Sequence, residues 1–98
     1  MSEVIAAAVA ALAERLPDGF DGAACFVIEG EGAVMLDPGG VRQADPDSDR
    51  PDVTLTASTE TFRAILEGRL NPMSAYMSGR LRLDGSVGAA MKLGSALG

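Results

Sequence analysis

Apolar residues recur near the start of the chain at Ile5, Val9, Leu12 and Leu16, spacings of four, three and four that place them on one stripe of a helix. Ser2 stands ahead of the stripe as an N-cap, and Pro17-Asp18-Gly19 ends it. The rest of that helix surface is mostly alanine, at positions 6, 7, 8, 10, 11 and 13. So little polar area predicts that the helix is covered on more than one side.

From residue 23 to 28 the pattern becomes β-branched and aromatic, Glu29-Gly30-Glu31-Gly32 interrupts it, and residues 33–36 resume it, which predicts a hairpin. Asp37-Pro38-Gly39-Gly40 closes the second strand, and residues 41–44 form a weaker third, giving a meander. Residues 44–52 are polar and carry prolines, as a connection should. Beyond them, Val53, Leu55 and Ala57 alternate with Thr54 and Thr56 in a half-buried strand over 52–57.

Ser58 or Thr59 caps the next helix, whose apolar face is Phe62, Ile65 and Leu66, and Gly68 ends it. Asn71-Pro72 restarts a short helix over 73–78, because Asn suits the cap and Pro the first helical position; Gly79 stops it. Residues 80–84 alternate again, with Leu81 and Leu83 on one face. Gly85 and Ser86 lead into a final helix carrying Val87, Ala90, Met91 and Leu97. The order of elements predicts an α+β layer, helices packed on a sheet.

At 98 residues the chain is expected to form one domain, and 47 % hydrophobic against 22 % charged residues favours a folded one. Its longest uncharged stretches, residues 4–13 and 70–79, fall short of the ~18 residues a membrane-spanning helix needs. Glu3 precedes the first apolar run with no Lys or Arg before it, unlike a secretory signal, so the sequence reads as mature and cytoplasmic. With one cysteine and no histidine, an internal disulfide, the usual zinc or haem sites, and Ser-His or Cys-His catalysis are all disfavoured. No cofactor is expected, and no enzyme activity.

A net charge of −6 argues against nucleic acid as a partner. The charge is unevenly spread. Residues 1–57 hold eleven acids and three bases, whereas beyond them Arg63, Arg69, Arg80, Arg82 and Lys92 outnumber Glu60, Glu67 and Asp84. The second half therefore offers either a weakly basic face for transient contact with a membrane surface or scattered solvated charges.

Candidate chemical motifs mostly fail on inspection. Asp45-Pro46-Asp47-Ser48-Asp49 alternates like a calcium loop but has Arg50 at the sixth position and Thr56 at the twelfth, where Gly and Glu are required. Gly30-Glu31-Gly32 begins like a dinucleotide motif, yet Met35 replaces the third Gly and a strand follows, so it is a turn. Cys25 lies in an apolar strand and reads as a structural thiol. The apolar inventory includes sixteen alanines, five methionines, four Phe or Tyr and no Trp. Small side chains between helices and sheet leave volume unfilled, and Met supplies adaptable walls; alanine equally serves helix propensity.

The second half carries a series of motifs: Asp52-Val53-Thr54-Leu55-Thr56-Ala57-Ser58, Thr61-Phe62, Leu66-Glu67-Gly68, Leu70-Asn71-Pro72, Met77-Ser78-Gly79-Arg80-Leu81, and Asp84-Gly85 through Ala90-Met91-Lys92-Leu93. In this order and spacing they resemble the sterol carrier protein type 2 family of lipid-transfer domains, over roughly residues 20–98. The resemblance implies a five-stranded, mixed but mostly antiparallel sheet, covered by four to five helices and enclosing an apolar tunnel. It further implies binding and carriage of fatty acids, fatty acyl-CoA, sterols or similar lipids without a cofactor or any bond made or broken. Phe26, Ile28, Val34, Leu36, Phe62, Leu66, Tyr76, Met77 and Met91 are the candidate tunnel residues. The chain ends Ala96-Leu97-Gly98 and not in Ser-Lys-Leu, in keeping with the cytoplasmic expectation. Tyr76-Met77 stands where many relatives have two bulky aromatics, which bears on tunnel width and ligand preference.

The other expectation, from a different class, is an accessory or dimerisation module serving a lipid- or quinone-pathway enzyme, with a vestigial pocket. Oligomeric state is open on the sequence alone.

Overall fold

The computed structural model describes residues 2–45 and 49–97. The middle of the calcium-like run, residues 46–48, lies outside the described residues. Helix α1 (Glu3–Arg15) begins where the Ser2 hydroxyl accepts the Ile5 amide at 3.0 Å. Its buried stripe is Ile5, Ala8 and Leu12, continued by Leu16 just past the end, with Val9 packed at its edge. The expectation of cover on several sides does not hold. Ala6, Ala7, Ala10 and Ala13 are exposed, because alanine stabilises a helix through its backbone propensity and has almost no side chain that needs burial.

Strands β1 (Ala24–Ile28), β2 (Gly32–Asp37) and β3 (Gly40–Gln43) form the meander. After the connection come β4 (Val53–Ala57), α2 (Thr59–Leu66), α3 (Pro72–Met77), β5 (Leu81–Gly85) and α4 (Val87–Leu97). The sheet order is β3-β2-β1-β4-β5; β1 and β4 run parallel and every other neighbouring pair is antiparallel. This is the expected five-stranded mixed sheet in an α+β fold, with four helices among the described residues.

Register decides which side chains share a face. Phe26 stands opposite Val34 on β2 and Leu55 on β4, and Leu55 stands opposite Leu83 on β5. Successive residues alternate, so Ala24, Phe26 and Ile28 join Val53, Leu55 and Ala57 on one buried face. The helices cover this face, α1 against β2 and β3, α4 against β4 and β1. The opposite face carries Cys25, Val27, Thr54 and Thr56, all half-buried.

Helix ends follow local chemistry. The Ser58 hydroxyl accepts the Thr61 amide at 3.1 Å to start α2, and the Asn71 carboxamide accepts the Met73 amide at 2.8 Å to start α3. Gly85 at φ +110 lets the chain leave β5 against Asp52, where any Cβ would run into the Asp52 carbonyl. Ser86 then donates its amide to that same carbonyl at 2.9 Å and caps α4 through the Ala89 amide.

Candidate functional site

Between the sheet and helices α3 and α4 lies an apolar cavity of about 540 Å³. Its floor is strand surface: Phe26, Leu55, Leu81 and Leu83. Ile65 of α2 and Leu97 of α4 contribute buried side chains to its wall. Pro72, Met73 and Tyr76 of α3 form one lip, and Val87, Ala90, Met91 and Gly94 of α4 the other. The floor is dry and the lips are wet. Phe26 is 1 % exposed and Leu55 4 %, whereas Tyr76 is 45 %, Met91 54 % and Val87 55 % exposed. The cavity therefore opens to solvent along the α3–α4 seam.

No Lys, Arg, Asp or Glu lines the cavity among the described residues; its polar members are Asn71, Tyr76 and Ser95. The Asn71 carboxamide oxygen is occupied in capping α3. Such a lining receives hydrocarbon and has no cationic group to neutralise an anionic head inside. A cavity of roughly 150 Å³ with apolar walls takes one benzene ring, so this one has room for about three to four six-carbon units.

Its wall is tied down at the end where three helices meet. The Arg15 guanidinium donates to the Leu97 carbonyl at 3.0 Å and to the Leu66 carbonyl, so one α1 side chain satisfies terminal carbonyls of α4 and α2. Beside the floor, Phe62 of α2 packs edge-on against Phe26.

The structure brings Phe26, Tyr76 and Met91 together around the cavity and sets the other six candidates apart from it. Ile28, Val34 and Leu36 share the buried face with Phe26 but sit in the core on the β1–β2 side, where α1 packs. Phe62 is buried against Phe26 in the core, and Leu66 packs at the edge of the core. Met77, one residue on from Tyr76, is 80 % exposed and turned out of the cavity. The unanticipated lining residues Met73, Val87, Ala90 and Gly94 had a signal. Met73 and Tyr76 stand three apart, as do Val87 and Ala90, on helix faces left with apolar or small residues and no charge.

Outside the cavity the chemistry is sparse. Among the described residues no cluster of three or more His, Cys, Asp or Glu could hold a metal ion, and no helix is long and apolar enough to cross a membrane. Cys25 is half-buried, and burial first, then the Asp49 charge, pushes its thiol pKa up. That makes it a poor nucleophile.

A mixed sheet with helices over one face and an apolar cavity between them defines the class as an α+β fold with an apolar pocket between its layers. The model of the SCP-2 sterol transfer family matches residues 6–98, and the chain belongs to that family. It is 37 % identical over 68 residues to peroxisomal multifunctional enzyme A of Dictyostelium discoideum, covering 69 % of this chain and 14 % of that protein. It is 39 % identical over 74 residues to hydroxysteroid dehydrogenase-like protein 2 of Rattus norvegicus, covering 69 % of this chain and 14 % of that protein. The chain thus spans less than a fifth of the length of these curated relatives. Among solved structures, sterol carrier protein 2 of Aedes aegypti in complex with the C16 fatty acid palmitate matches with a TM-score of 0.75 at 22 % identity, covering 99 % of this chain and 96 % of that one. At that identity the likeness concerns the fold.

Proposed function

We propose that this chain is a single-domain, non-catalytic lipid carrier that shelters one apolar guest in the α3–α4 cavity and exchanges it with membranes. The observation that carries the reading is the uncharged cavity of about 540 Å³, buried at its floor and open along one seam. The palmitate complex of the Aedes aegypti relative supports a long hydrocarbon chain as the guest. Fatty acids, fatty acyl-CoA and sterols are the ligand classes. With no cation in the lining, a charged head stays at the open seam and the hydrocarbon goes inside.

Energetics suit a shuttle. Burying sixteen carbons at ~0.8 kcal/mol each gains ~12 kcal/mol gross. Association and ordering subtract at least ~4 kcal/mol, leaving at most ~8 kcal/mol, an affinity of micromolar order or weaker. Such a complex forms readily and still lets its guest go. No cofactor is needed, the acidic net charge disfavours nucleic acid, and the free Cys25 thiol suits the reducing cytoplasm.

The test is transfer of a fluorescent fatty acid between donor and acceptor vesicles, with Ala90→Phe, which fills the cavity from the α4 lip, as the control. Protein-dependent transfer that the folded variant lacks supports the carrier. Equal transfer by both, or none by either, removes it. A second reading, an accessory or dimerising unit of a lipid- or quinone-pathway enzyme, is favoured by the match to a short part of a multifunctional enzyme. A stable dimer that takes up no lipid would select it.

A further inference from the structure

We infer that the mouth of the cavity is a membrane-docking surface, formed by α3 and the start of α4, that settles face-down on anionic lipid. Met73, Tyr76, Val87 and Met91 rim the opening and are all exposed, and Met77, next to Tyr76 on α3 but turned out of the cavity, is 80 % exposed and extends this apolar surface outward. They are flanked by bases. Arg69 precedes α3 by three residues and Arg80 follows its end by three, and residues 68–83 contain no acid. Arg80 makes no ion pair among the described residues, and Arg69 pairs only with exposed Glu67. Lys92 is already held by Asp21 and is not counted.

Residues 1–57 carry the opposite sign, eleven acids against three bases. On an anionic bilayer the acidic part is repelled while the α3–α4 lip is attracted, so charge alone orients the opening toward lipid. The exposed apolar rim then enters the headgroup boundary, as amphipathic surfaces do. The exposed face of α1, with Ala6, Ala10, Ala13, Glu3 and Glu14, has neither large apolar side chains nor a free base: Arg15 is engaged with the Leu97 and Leu66 carbonyls. The inference gives the carrier reading its entry route, but its test does not depend on that reading, since docking is measured without ligand and ligand binding without vesicles.

The chain has no Trp, so Met77→Trp and Ala10→Trp are single-site reporters on the full chain. With vesicles of phosphatidylcholine and phosphatidylserine, Met77→Trp emission should move to shorter wavelength and be quenched by brominated acyl chains, while Ala10→Trp should not change. Pure phosphatidylcholine should give a weaker response. Each base near an anionic surface contributes about fivefold in partitioning, so Arg69→Gln with Arg80→Gln should weaken vesicle binding roughly 25-fold with native circular dichroism. Silence of Met77→Trp on anionic vesicles, or a response from Ala10→Trp in its place, overturns the proposal. So does a Met77→Trp shift that appears without vesicles and tracks self-association, since a second copy would then cover the rim.

Discussion

The ring of Phe26 meets that of Phe62 edge-on, with centroids 4.5 Å apart and planes at 67°. Phe26 is cavity floor on β1 and Phe62 is core on α2, so this contact buttresses the floor from the side of α2. Edge-on aromatic pairs contribute ~0.5–1.5 kcal/mol beyond area burial. Phe62→Ala should cost ~3–5 kcal/mol in urea unfolding, and Phe62→Leu clearly less. The alanine variant should also bind bulkier guests, because the Phe26 ring gains space to retreat. An Ala substitution that costs no more than Leu would show that the pair is not a support.

Gly94 is a stabilisation site. It lies in α4 on the cavity lip, and a Cβ there would sit 3.9 Å from the Pro72 Cβ, ordinary contact distance. Gly94→Ala removes a helix-interior glycine and should raise stability by up to ~1 kcal/mol, seen as a higher Tm. It also narrows the seam between α3 and α4, so release of a bound lipid should slow.

Arg15 is a tether. Because its guanidinium reaches two helix-terminal carbonyls, Arg15→Met leaves both without a protein donor and should cost ~1–3 kcal/mol. Faster amide exchange in the last turn of α4 is the specific readout. Arg15→Lys should recover only part of the loss, since one ammonium cannot reproduce the fork.

Two ionisable groups give opposite pH limits. The hydrogen bond from Arg42, reinforced by the Gly39 amide, holds Asp37 below its ordinary carboxylate value. Its contribution is complete above the unfolded pKa of about 3.9 and is lost as pH falls toward the lower folded value. The pair is partly exposed, so the effect should be small and shrink with salt. Cys25 works the other way. Its raised pKa leaves stability untouched below the unfolded thiol value of about 8.5 and lowers it as pH rises beyond that. Iodoacetamide at pH 8 should label native Cys25 more slowly than the urea-unfolded chain. Equal rates would contradict a protected thiol.

Local structure was legible because it depends on near neighbours. Ser2, Ser58 and Asn71-Pro72 mark their helix starts as expected, and β-alternation placed all five strands to within a residue or two. Long-range partnership was not. Nothing local tells Ala24 to pair in parallel with Val53, yet that pairing puts Phe26 beside Leu55 and creates the cavity floor. Period-two alternation likewise puts Val34 and Phe26 on the same face without saying which helix covers each. α1 fills the β2 side with Ile5 and Leu12, whereas the thinner α3–α4 lips leave the other side hollow. The alanine surface of α1 pointed the wrong way, since propensity and burial draw on the same residue.

Titration of the purified chain with a sixteen-carbon fatty acid, followed by native mass spectrometry, tests the carrier most directly. The account predicts a saturable complex of one lipid per chain at micromolar concentration, abolished by Ala90→Phe in a protein that still folds. Failure to form any complex, or non-saturating adducts that wild type and variant accumulate alike, would contradict it.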